Sequence, residues 1–243
     1  MLKKILIPIF CILFSPAYAD WVHINLDTGL RPLIIGDKNN VGMVRECNKA
    51  IDRFKDGAAS GDLRSEFLLG NSLVFCSIYS PSGTEKMQSL FDAGVLYLRQ
   101  ATVSGINEKH RYSREAAFIQ GLIYSGRYGK DYTFLSRKWR SIQLALATNE
   151  LAAKYPQDPN AEPNDRFTFM AQVNMGDIYW KGEGVLQNPI LAHMWYNIAS
   201  LSSHTGEVTV QRDKVAQVMT MEELKEARAK ANACVNSNYQ NCN

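Results

Sequence analysis

Large and small apolar residues alternate at helical spacing most clearly in residues 171–200, AQVNMGDIYWKGEGVLQNPILAHMWYNIAS. Ala171, Gly176, Ala192 and Ala199 are small enough for two backbones to approach closely. Tyr179, Trp195 and Tyr196 are the large partners that fill the remaining space. Between the two runs stand Gly182, Gly184 and Val185, then Gln187, Asn188 and Pro189. Glycines that adopt positive φ end a helix and turn the chain. Asn188 suits an N-cap, and Pro189 suits the first helical position. The pattern predicts an antiparallel helical hairpin.

The same reading along the chain predicts helices over 44–59, 64–77, 86–103, 113–126, 132–154, 167–181, 189–202, 208–218 and 221–236. Thr220 and Glu223 form the spacing of a capping box at the last helix start. Pro156 to Asp165, with three prolines among polar residues, is expected to be a surface loop. Residues 20–40 differ in character. Trp21 to Leu26 partly alternates, and Leu33-Ile34-Ile35 is a short apolar run. This stretch is expected to be a small hairpin or an extended arm on the helices.

The 171–200 hairpin resembles the Sel1-like repeat, a relative of the tetratricopeptide repeat. Ala171, Gly176, Tyr179, Gly182, Gly184, Val185, Ala192, Trp195, Tyr196 and Ala199 fall on that repeat's pattern without gaps. Met175, Asn188 and Ser200 depart from it conservatively. Looser copies lie upstream. Ala116, Gln120, Gly121 and Tyr124 follow the first-helix pattern, with Gly126 and Gly129 in the turn and Trp139 where the second helix carries its Trp. Ser65, Leu69, Gly70 and Leu73 form a weaker copy. Gly94, Tyr97, Leu98 and Ala101 resemble a second helix, as do Ala50, Phe54, Gly57 and Ala58, and Gly61-Asp62 is a common link between such repeats.

The resemblance implies an all-α, right-handed superhelical solenoid of antiparallel hairpins. It places the repeats at 44–202, degenerate over 44–155 and clear over 167–202, with capping helices and a tail over 203–243. An extended arm would occupy 20–43. A narrower resemblance is to the Sel1-repeat component of the sodium-driven flagellar motor's periplasmic ring. It rests on Glu46-Cys47, Cys76, Gly94 with Tyr97 and Leu98, Gly121 with Tyr124, and Trp195-Tyr196 before a helical tail.

The first 19 residues read as a cleaved secretory signal. Lys3 and Lys4 precede an apolar run from Ile5 to Phe14, and Ala17-Tyr18-Ala19 is a small-x-small cleavage site. Without Lys3 and Lys4, the mature chain carries 25 basic residues against 24 acidic ones. That balance argues against nucleic acid or an anionic membrane as partner. No later segment is apolar and long enough to span a bilayer. Four cysteines remain, Cys47, Cys76, Cys234 and Cys242, which in an exported chain suggest disulfides. Three connectivities are possible; Cys47–Cys76 and Cys234–Cys242 is the preferred one. The alternative is reduced cysteines in the core. Paired CxxC spacing is lacking, which argues against zinc.

Catalytic motifs are missing from the sequence: it has no HExxH, GxxxxGK[ST] or GxSxG, and no serine is followed three residues later by lysine. His23, His110, His193 and His204 are scattered, and no acidic pair suggests acid–base work. No catalytic residue, cofactor or metal is therefore expected. The first helices of such hairpins line the concave wall. Their positions two, six and nine after the leading small residue are Phe67, Asn71 and Val74, then Phe118, Leu122 and Ser125, then Val173, Asp177 and Trp180. Phe118, Leu122, Asp177 and Trp180 are the expected partner-binding residues; the alternative is packing on neighbouring repeats. The expected function is a non-enzymatic scaffold, periplasmic or secreted, holding a protein or peptide partner in the bacterial cell envelope. The alternatives are a flagellar stator-ring component or a wall-related enzyme or regulator.

Overall fold

The computed structural model describes residues 41–77, 84–105, 110–126, 133–154, 166–201 and 206–242. The expected signal segment, the 20–40 stretch and the 156–165 loop lie outside the described residues. The described residues are all-helical: α1 (Val41–Ala59), α2 (Leu63–Ser77), α3 (Thr84–Ser104), α4 (Arg111–Ser125), α5 (Thr133–Ser136), a 3-10 turn (Arg137–Trp139), α6 (Ile142–Ala153), α7 (Arg166–Lys181), α8 (Pro189–Ser200), α9 (Glu207–Ala216) and α10 (Met221–Asn236). Helix α1 begins at Val41, so residues 41–43 are helical rather than the end of an arm. The described residues form two compact units that divide between Tyr97 and Leu98, inside α3.

In the first unit, Cys47, Ala50, Phe54 and Ala58 repeat at helical spacing and are buried on α1. Gly61, at φ +83°, supplies the left-handed turn after it. Asp62 then caps α2, its carboxylate accepting from the Ser65 N–H at 2.9 Å. The Cys47 and Cys76 sulfurs are bonded, with the Cα atoms 5.7 Å apart, which fastens α1 to α2. Residues Glu66 to Ser77 of α2 are all buried. Helix α3 crosses α2 at glycine: a Cβ on Gly94 would stand 2.7 Å from the Gly70 carbonyl oxygen and the Val74 nitrogen. Only a residue without a side chain permits that approach.

In the second unit, α4 pairs with α6 and α7 pairs with α8. His110 caps α4, its Nδ1 accepting from the Tyr112 N–H at 3.3 Å. The sequence pattern predicts one helix over 132–154, but the chain breaks before Ser141. Ser141 is extended at φ −154° and caps α6 by accepting from the Leu144 N–H. Its own N–H donates to the Tyr124 carbonyl at 3.1 Å, which ties the break to the end of α4. Trp139 therefore lies in the 3-10 turn, ahead of the second helix of that hairpin. The residue that meets Gly121 is Asn149. Polar groups stitch neighbouring helices here. Gln120 Nε2 donates to the Leu98 carbonyl and to the Thr102 hydroxyl, and Ser113 donates to the Thr102 carbonyl. Gln172 Nε2 donates to the Ala153 carbonyl at 3.2 Å, and Asn174 donates to Asn149 at 3.3 Å.

The α7–α8 hairpin follows the pattern closely. Gly182 and Gly184 adopt φ +67° and +75°. Asn188 accepts from the Leu191 N–H at 3.0 Å, with Pro189 at the helix start. Trp195 and Tyr196 are each 1% exposed. Burying side chains of this size contributes about 1.5–3 kcal/mol each. Helices α9 and α10 both pack on α8. Val208 and Val215 of α9 join Ala192, Tyr196 and Ala199 in one core cluster. The capping box at Thr220 and Glu223 is formed at the start of α10. Cys234 and Cys242 are bonded, pinning the tail to α10.

Candidate partner-binding face

The first helices of the hairpins are α2, α4 and α7, and each puts a glycine at the same register: Gly70, Gly121 and Gly176. That register fixes which side chains face away from the second helix. In the first unit, Phe67, Asn71 and Val74 are at most 2% exposed. They are core, so the expected wall is missing from α2.

In the second unit the expectation divides. Phe118 is fully buried, and its ring stands edge-on to Phe167 with centroids 5.6 Å apart. The assignment of Phe118 to an open face is corrected: it is the packing contact between α4 and α7. Leu122 and Ser125 of α4, with Val173, Asp177 and Trp180 of α7, are half-buried. They occupy equivalent positions on two packed helices. Trp180 and Val173 rest on the cluster built from α8 and α9, so one side of the Trp180 ring is supported while the residue remains partly open.

Asp177 is held from two directions. The Tyr196 hydroxyl donates to Oδ1 at 2.6 Å. Lys181 Nζ lies 3.8 Å from Oδ2 and 3.6 Å from the Glu183 carboxylate. With the Lys181 side chain 52% exposed, these ion pairs are weak, at about 0–1 kcal/mol each. The hydroxyl contact is the stronger restraint, because a hydrogen bond to a carboxylate is worth about twice a neutral one. Gln187 Nε2 donates to the Trp180 carbonyl at 2.7 Å and closes the end of the helix beside it. The face thus combines a supported indole, a branched apolar side chain and an anchored carboxylate. It can grip an apolar side chain and accept a hydrogen bond or a positive charge.

The other perturbed groups among the described residues have local causes. Burial pushes the Tyr124 phenol up, and burial together with the Glu150 charge does the same at Tyr179. The Thr220 backbone and side-chain hydrogen bonds hold the Glu223 carboxyl below its usual range, as its capping role requires. Among the described residues, no group of three or more His, Cys, Asp or Glu is placed to hold a metal ion. Sequence reasoning missed the buried polar links, although Gln120, a polar side chain beside Gly121 in the repeat pattern, was a visible signal for one.

No protein-family model matches the chain, and no curated protein does. Among solved structures it matches the crystal structure of c5321, described as a protective antigen present in uropathogenic Escherichia coli strains displaying an SLR fold. The match has a TM-score of 0.52 at 18% identity and covers 91% of this chain. The fold is a Sel1-like repeat α-solenoid. This chain spans 40% of the length of that structure. At such identity the likeness carries the Sel1-like fold alone, and the flagellar-ring resemblance draws nothing from it. Among the described residues no helix is long and apolar enough to cross a membrane.

Proposed function

We propose that the protein is a non-enzymatic scaffold of the bacterial cell envelope that holds a protein or peptide partner against the α4–α7 face. The observation that carries this reading is the half-open set of Leu122, Asp177 and Trp180 on helices otherwise packed into the core. Trp180 is supported from beneath and Asp177 is fixed by Tyr196, so both are organised before a partner arrives. Preorganised aromatic anchors lose little entropy on binding and dominate interface energies. The amino-terminal signal pattern and two bonded cysteine pairs favour an oxidising compartment, the periplasm or beyond.

The test is a comparison of captured proteins. Immobilised wild-type protein, Trp180→Ala and Asp177→Asn are exposed to envelope extract, and bound proteins are quantified by mass spectrometry. The amide introduced by Asp177→Asn retains an oxygen for the Tyr196 hydroxyl, so that variant keeps its shape and loses only charge. One protein should be enriched by the wild type and depleted at least tenfold by Trp180→Ala, with helicity unchanged by circular dichroism. A Trp180→Ala protein that unfolds, while its folded fraction captures as before, would assign Trp180 to the core and defeat the proposal.

A further inference from the structure

Beneath the C-terminal cap helices lies a buried ionisable group that the candidate partner-binding face does not use. His193 lies on α8, where α9 and α10 pack, and is 3% exposed. Its Nδ1 is buried and has no hydrogen-bond partner. The charged groups that act on it come from both cap helices: Arg212 and Asp213 from α9, and Arg228 from α10. Arg212 already engages the Asp213 carboxylate through Nε and Nη2, at 3.0 and 2.8 Å. From α7, the other helix packed on α8, Asp177 is taken up by the Tyr196 hydroxyl and Lys181, and Tyr179 is a neutral phenol pushed up by burial. Two guanidinium groups therefore act on the imidazole, and the one carboxylate acting on it is shared with Arg212.

We propose that His193 is an acid-sensitive latch: its protonation loosens α9 and α10 from α8. An imidazolium would carry a second N–H into a buried place with no acceptor for it. It would also add a positive charge that the Arg212 and Arg228 guanidinium groups repel. Each effect disfavours the closed, charged state, and each is relieved when the cap opens to water. Burial first, and the two arginines next, hold the imidazole below its ordinary value of 6.5. The sign follows from linkage. The open state binds the proton more readily, so the closure energy is complete above pH 6.5. It declines as pH falls below that value and levels off beneath the depressed folded value. On the envelope location proposed above, external acidity reaches the protein and supplies such a latch with a stimulus.

Hydrogen exchange of the mature protein, read by mass spectrometry on peptides from 207–236, tests this. Rates at pH 7.5, 6.5 and 5.5 are corrected for intrinsic exchange, and α1–α2 peptides serve as reference. Cap protection should fall by up to about tenfold between pH 6.5 and 5.5, the limit for uptake of one proton. The fall should vanish in His193→Gln, and in His193→Leu, which tolerates the apolar setting. A flat wild-type profile overturns the proposal. So does an equal fall in either folded variant. Nuclear magnetic resonance titration of the His193 ring decides without any variant: a midpoint at or above 6.5 overturns it.

Discussion

Replacing Gly176 with alanine isolates the contact on which the α7–α8 hairpin depends. In an open helix interior the change stabilises by about 1 kcal/mol through backbone propensity. Here the new Cβ would stand 2.5 Å from Tyr196 Cε1, 2.6 Å from Cδ1 and 2.9 Å from Cζ. Carbon atoms rest at about 3.5–4.0 Å, so the ring must retreat by about 1 Å. Tyr196 has little room to do so. It is 1% exposed, and its hydroxyl is tied to Asp177 at 2.6 Å. Overpacking of this kind costs about 1–3 kcal/mol, which offsets or exceeds the propensity gain. The expected result is a net loss of about 0–2 kcal/mol. In a Tyr196→Ala background the clash is gone, and Gly176→Ala should stabilise by about 1 kcal/mol. Urea unfolding of the four proteins, followed by far-ultraviolet circular dichroism, gives the coupling energy directly. Tyr196→Phe is the milder partner if Tyr196→Ala is too unstable: freeing the ring from Asp177 should recover part of the loss. Equal effects of Gly176→Ala in both backgrounds, or full stabilisation in the wild type, would refute the argument.

Cys76→Ser should lower stability by about 3–4 kcal/mol through release of a loop closed between residues 29 apart, measured by urea titration. Mass mapping of non-reduced peptides should find Cys47 linked to Cys76; free thiols at both positions in exported protein would contradict the bridge. The Cys234–Cys242 loop is shorter, with a separation of 8, so its loss should cost about 2–3 kcal/mol and concentrate in the tail. Thr220→Ala removes the acceptor of the Glu223 N–H and should cost about 1 kcal/mol, seen as faster exchange in the first turn of α10; unchanged exchange there would show that the cap is dispensable.

The parts of the fold that local chemistry determines were readable in the sequence. Asn188 and Pro189 start α8, Thr220 and Glu223 start α10, and Gly182 and Gly184 turn the hairpin, because each effect lies within a few residues. The break inside 132–154 was not readable, since it depends on Ser141 reaching the Tyr124 carbonyl on another helix. Trp139 misled for the same reason: the second helix starts after it, and Asn149 fills the crossing against Gly121. At the candidate site, helical register placed Val173, Asp177 and Trp180 together on a half-buried side of α7 but could not tell Phe118 from Leu122. Both lie on the same side of α4, and Phe118 is the one that meets Phe167. The cysteine pairing was narrowed by helix order and then settled by proximity in space.

Site-specific photo-cross-linking in living cells tests the binding face most directly. A photoreactive phenylalanine is placed singly at positions 122, 177 and 180, and at Leu144, which is 46% exposed on the second helix of its hairpin. The account predicts one common adduct from positions 122, 177 and 180 and none from position 144. No adduct from the three face positions, or the same adduct from position 144, would contradict it.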